Sequence, residues 1–552
     1  MKKPVKQSVS IALILAAVTT MATGCQGNAG GESGKTDANG IKTFSFYQLG
    51  ATTAIDLSNT TVGKEITKKT GVKLKCDYQV GGDQATIATT QTASSDYDDF
   101  LNCGNEFDVY RDAGALVPLE DYIEKYGTNI KKWYGNDLKK LKDPKTGHIY
   151  TLSPSRKPVT PLYATAGFYV QKRVLAANNY PRNMTLDQFF TMLENFVKKN
   201  PTYQGKQVIP FEARGDKDGL YLISNVGNYL AGRPNTGGSY FDADGTAHNF
   251  ALASCTHDYL KKLNEEALKG IVDSNIFAQT QDQEHANIAN GRALAFYDER
   301  WSITQQIQSL EQQKMYDEVP IAINVTFDGS TNESYNGISS ITASQGVCIS
   351  KSCKDPVAAF QFLDAMCSED IMKLVNWGIE GQDYEMKDGK MTLTDKQLAR
   401  MDDTDYAQKQ GVGYWWVFPH PNLDADTKFS DGNAISPQNT ETYVSSKYKS
   451  YEKEVLKAYN IPTFYEMFKP SQDSKFGFGW DITIPDSMTD VKTASQKSSE
   501  LTQRYLPKLI FAKSGEFESV WESYKKDMTA CHYDASDAYL TEQAKKRIQD
   551  WN

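Results

Sequence analysis

The feature that most constrains the fold is an alternation of strand and helix patterns beginning at residue 43. TFSFYQL (43–49) reads as a strand, residues 62–70 as a short helix closed by Gly71, and VKLKCDY (72–78) as a second strand. YDDFLN (97–102) reads as another strand after an intervening helix. A glycine just past a helix takes the left-handed conformation that ends it. Strand–helix–strand order with short connections predicts a parallel α/β sheet. Ligands of such sheets sit beyond the carboxyl ends of the strands. The loops around Tyr47–Gln48 and Asn102–Asn105 are therefore candidate ligand surfaces, with ordinary loop residues as the competing reading.

The pattern resumes further along. AGFYV gives a strand, and Thr185 and Gln188 have capping-box spacing ahead of Phe189, Phe190, Leu193, Phe196 and Val197 on one helical face. VIPFEA (208–213), ALAFYD (293–298) and GVCIS (346–350) read as strands, and SYFDADGTAHNF (239–250) as a hairpin turning at Asp244–Gly245. Asp355–Pro356 supplies an N-cap and a first helical residue. A chain of 552 residues has room for two or more cores.

The first 24 residues read as a signal peptide. Lys2, Lys3 and Lys6 precede an apolar run from Ile11 to Ala17, and small residues lead to Cys25 in the string MATGC. This is a lipoprotein-type cleavage site in which the Cys25 thiol takes a diacylglyceryl group. Ala22 stands where such sites usually carry leucine. The apolar run is too short for a membrane span, which needs about 20 residues. Residues 25–40, Gly-rich and polar, read as the lipidated cysteine and a flexible tether. This segment predicts a protein held by its lipid on the extracellular face of the cytoplasmic membrane.

A net charge of -9 argues against a nucleic-acid partner, because phosphate binding needs a basic face. Of eight cysteines, Cys25 is assigned to lipid, and the seven others form no CxxC pair, so a structural zinc site is not expected. The 31 Tyr, 24 Phe and 8 Trp suit both large cores and surfaces that grip amphipathic ligands.

Three stretches, in order, carry a family resemblance. DAGALVPLEDYIEKYGTNI (112–130) is similar to a "G-A-L-x-P-L" run, and LKGIVDSNIFAQTQDQEHANIANGRALAFYDERW (268–301) to a "G-I-x-D … G-K-A … W" stretch. VCISKSCKDPVAAFQFLDAMCSEDIMKLVNWGIEGQDYEMKDGKM (347–391) carries "S-K-x-x-K-D-P … G-I-E-G-x-D-Y-E". Together they resemble the large Gram-positive lipoproteins among the family 1 extracellular solute-binding proteins, in the maltose-binding-like clan. The resemblance implies a two-lobe periplasmic-binding-protein-like α/β fold with a hinge. Residues 41–160 with 343–405 would form lobe 1, and 161–342 with 406–552 lobe 2. It further implies delivery of a ligand, an oligosaccharide by preference, to ABC permease subunits, with no cofactor.

The clan's sugar-stacking Trp falls on Trp301, just beyond ALAFYD; a core position is the competing reading. Glu299 and Arg300 are candidate hydroxyl or acid contacts or solvated charges, and Arg214 a polar contact or a structural ion pair. In GVGYWWVFP (411–419), Trp415 and Trp416 adjoin in a Gly-flanked loop, and one ring is expected to pack while the other meets ligand. Trp480 in FGFGW, with Tyr47, Gln48 and Asn105, completes the candidate set. The alternatives are a secreted carbohydrate-active enzyme or a surface adhesin. The sequence has no GxSxG, HExxH or P-loop, and no repeats or stalk.

Many relatives carry a calcium-loop string between the helix and strand that here are residues 186–199 and 208–213. This chain reads NPTYQGKQVIP (200–210) and has no carboxylate there. Calcium needs six to eight oxygen ligands, mostly charged. A plain turn without calcium is therefore expected, with a weak site completed by Asp216 or Asp218 as the alternative.

Overall fold

The computed structural model describes residues 34–551, except 52, 155–161, 165, 217–218, 331–342, 402, 420–426, 469–477, 480–481 and 486. The expected signal peptide, Cys25 and most of the expected tether lie outside the described residues, as do Asp218 and Trp480.

Two sheets organise the chain. Their strands, in chain order, are β1 (Lys42–Ala51), β2 (Val72–Val80), β3 (Phe100–Asn102), β4 (Thr151–Leu152), β5 (Ala166–Gln171), β6 (Ala295–Glu299), β7 (Pro320–Ile323) and β8 (Val347–Ile349). The first sheet runs β2-β1-β3-β8-β4 and the second β6-β5-β7. β1 is parallel to β2 and β3, as the strand–helix alternation predicts, and β8 runs antiparallel to β3 and β4. The helix Thr61–Thr70 starts on Thr60, whose side chain accepts from the Gly63 amide, and ends on Gly71 at φ 69°.

In the second sheet β5 pairs antiparallel with both neighbours. The expected strand 208–213 makes only single bridges, Ile209 to Ala293, Phe211 to Val272 and Glu212 to Phe296. Pro210 in its middle has no N–H to give a ladder. The hairpin Ser239–Phe241 with Ala247–Asn249 and the capping box of the helix Leu186–Lys199 form as the sequence indicates.

Each sheet has its own core. Phe44, Phe46, Phe100, Ile349 and Phe360 pack around the first, and Phe168, Phe189, Phe211 and Phe296 around the second. The late helices Thr489–Ile510 and Phe517–Ala530 join the second core through Leu509, Trp521 and Tyr524. Trp415, Val417 and Phe418 belong to the first core, while Tyr448 and Tyr451 belong to the second. The proposed division at 405/406 therefore falls too early. The ring run is what binds this stretch to lobe 1, with Phe418 lying 5.1 Å from Phe46 centroid to centroid.

The chain first passes between lobes from Leu152 to Ala166. Leu152 pairs with Val347, and the Asn102 amide at the end of β3 donates to the carbonyl of Gly346. In the second sheet Ala166 pairs with Glu299. The crossing thus joins the sheet end carrying Asn102 to the sheet end carrying Glu299. The carboxyl ends of β3 and β6 are the sheet ends to which the crossing attaches, and in α/β sheets ligands are found beyond such ends.

Candidate ligand cleft

On the second lobe, β6 ends at Glu299 and the helix Arg300–Gln312 starts at once. That abrupt change turns Trp301 outward, leaving it 68% exposed among a chain whose other large rings are mostly buried. Glu299 is mostly buried. Burial pushes its carboxyl above the usual range, against the opposing pull of the Tyr221 hydroxyl and the Trp301 indole beside it. Tyr221 carries no motif, and sequence reasoning missed it; only the fold brings it to Glu299.

On the first lobe, Asn102 fixes the β3 end by accepting from the Gly104 amide as well as donating to Gly346. Asn105, in the following turn, is exposed, and Gln48, paired in register with Asn102, is mostly buried. Trp416 is 49% exposed whereas Trp415 is 1% exposed. A side chain at Gly411 would strike Thr60, the N-cap of the helix that returns from the carboxyl end of β1. The ring loop therefore begins near the carboxyl end of β1, with one indole packed and the other exposed.

Four candidates are corrected. Tyr47 is a core ring, packed with Ala88, Leu101 and Phe107, because β1 is a central strand covered on both faces. Trp415 is likewise core, with its ring 5.5 Å from Phe418. Arg214 is buried and faces Asp216 at 3.5 Å and Glu284 at 3.7 Å, which is the structural ion pair. Arg300 is engaged with the ring of Tyr163 inside lobe 2. Trp480 lies outside the described residues.

A cavity of about 840 Å³ opens between the lobes. Asp108 and Lys145 line it from lobe 1, Ser344 from the second crossing, and Thr483, Tyr539 and Lys546 from the C-terminal region. The Thr483 hydroxyl donates to Asp108 at 3.2 Å, and Lys546 donates to the carbonyl of Pro144 at 3.0 Å. The helix Asp534–Trp551 thus forms one wall and touches the opposite lobe. No sequence motif marked these residues, because they meet only after that helix docks.

Two α/β lobes, chain crossings at the sheet ends and a polar space between them, lined by neither Trp301 nor Trp416, define a two-lobe binding protein of the hinged type. The model of the family described as bacterial extracellular solute-binding protein matches residues 60–373, and the chain belongs to that family. No curated protein matches it. Among solved structures it is similar to an extracellular solute-binding protein from Bifidobacterium longum subsp. infantis, with 16% identity and a TM-score of 0.66 over 93% of this chain and 100% of that one. It is also similar to an HMO-binding, ABC-transporter-associated solute-binding protein from Bifidobacterium longum infantis, with 15% identity and a TM-score of 0.63 over 92% and 99%. A third is the S. pneumoniae ABC-transporter substrate-binding protein FusA in complex with kestose, with 15% identity and a TM-score of 0.60 over 92% and 100%. At these identities the likeness is one of fold. Among the described residues no helix is long and apolar enough to cross a membrane.

Proposed function

We propose that this solute-binding protein captures an oligosaccharide between its lobes and delivers it to ABC permease subunits, anchored to the membrane by lipid on Cys25. The observation that carries the reading is Trp301, an indole held outward at the carboxyl end of β6 where the crossing attaches. A flat apolar ring beside polar groups suits the apolar face and the hydroxyls of a sugar. Trp416 offers a second exposed ring from lobe 1. The proteins of similar fold whose names mention HMO and kestose support a glycan as cargo.

The test is a thermal-shift screen with milk-type, fructan and uronate oligosaccharides, followed by chromatography of the incubated sugars. A ligand that binds only the native state raises the melting temperature. The reading expects a shift from one class and no cleavage products; cleavage would favour the enzyme alternative. Anchoring has its own check: Cys25→Ser should release the protein into the medium or leave unprocessed precursor, and processing with membrane retention as in the parent contradicts it.

A further inference from the structure

Behind the cleft wall of lobe 2 lies a buried polar cluster that ligand capture does not use. Glu284, His285 and Asp298 each offer a ligand atom within 4.8 Å of the others. Glu284 and His285 adjoin on the helix Gln281–Ala289, and Asp298 is the penultimate residue of β6. Glu284 is 1% exposed, and neither of its carboxylate oxygens has a hydrogen-bond partner. A buried, unbonded carboxylate costs far more than one that is satisfied. Glu212, fully buried nearby, has one oxygen bonded to Asn287 at 2.7 Å and the other without a partner. The cation facing this group is Arg214, whose Nε stands 3.7 Å from Glu284, beyond hydrogen-bond reach.

We infer that Glu284, His285 and Asp298 form a site for a divalent transition-metal ion of the zinc class. Two carboxylates with one imidazole are a donor set that zinc accepts, and the nitrogen disfavours calcium or magnesium. Such an ion would tie the helix Gln281–Ala289 to the end of β6, three residues before Trp301. Asp298 already holds that end by accepting from the Glu299 amide at 2.7 Å and the Ser302 hydroxyl at 3.3 Å. The site is separate from the 200–210 turn, and it departs from the expectation of no structural zinc, which rested on cysteine spacing.

The test loads the purified chain with zinc, removes loosely held ion by dialysis and counts retained metal by mass spectrometry, with melting temperature measured alongside. His285→Ala and Glu284→Gln are the variants, since both leave the bonds of Asp298 in place. The site predicts one zinc per chain and a raised melting temperature, with affinity lowered at least about tenfold in each variant. If the parent retains no zinc, the inference fails. It fails equally if His285→Ala retains zinc as the parent does, which would place the ion at surface pairs such as His248–Asp242 or His257–Glu518.

Discussion

The guanidinium of Arg300 lies 3.9 Å from the centroid of the Tyr163 ring. Tyr163 belongs to the segment entering lobe 2, and Arg300 opens the helix that carries Trp301. The same ring stacks on Phe464 at 5.7 Å and 14°, and its hydroxyl donates to Glu452 at 2.8 Å. The contact therefore fastens the end of the crossing to the helix that presents the indole.

Removing it should cost stability rather than affinity. Arg300→Ala is expected to lower the unfolding free energy by about 1–2 kcal/mol, the scale of a partly desolvated cation–π contact. Arg300→Lys should recover only part, because an ammonium has no plane to lay on the ring. Denaturant unfolding reads the effect. An unchanged unfolding curve with sugar binding lost would return Arg300 to the ligand set.

Asp537 makes stability depend on pH. It lines a second cavity of about 450 Å³ in lobe 2; Oδ2 accepts from the Asn249 amide at 3.1 Å and Oδ1 has no partner. Burial raises its pKa to about 6, with His248 acting to lower it and Asp534 to raise it. The folded value exceeds the unfolded one, so the folded state holds the proton more tightly. Its contribution is complete below the ordinary carboxylate range, and is lost as pH rises through about 6. The loss is at most about 3 kcal/mol. Melting curves between pH 4 and pH 8 should show the decline, flattened in Asp537→Asn; an equal slope in the variant contradicts the assignment.

The 200–210 segment is a hairpin of Thr202–Tyr203 with Lys206–Gln207, turning through Gln204 at φ 49° and Gly205 at φ 76°. Two positive φ values in a two-residue loop favour glycine and need no ion. Adding calcium to metal-free protein should leave the melting temperature unchanged, and Gly205→Ala should cost about 1 kcal/mol. A calcium-dependent rise removed by Gln204→Ala would overturn this.

Local chemistry made much of the fold legible. Gly71, Thr185 with Gln188, and Asp355 with Pro356 punctuate helices through their own backbones, so their effects need no distant partner. The outward position of Trp301 follows from its place two residues past a strand, at the start of a helix, while its stacking role is what the family resemblance implies. The burial of Tyr47 was not legible, since it depends on the helices Gln84–Ser94 and Phe107–Asp112 closing over β1. The boundary near 405 falls too early because Trp415 and Phe418 join a core that combines β1 and β3 with the helix Pro356–Met366, far apart in the chain. Thr483, Tyr539 and Lys546 carry no local signal; the docking of the last helix alone gives them a place at the cavity.

The most direct test of the account is calorimetric titration of Trp301→Ala with the oligosaccharide that the screen identifies, alongside its melting curve. An exposed stacking ring predicts affinity weakened by roughly 1–3 kcal/mol with the ligand-free melting temperature unchanged. Affinity equal to the parent's would contradict the cleft assigned here.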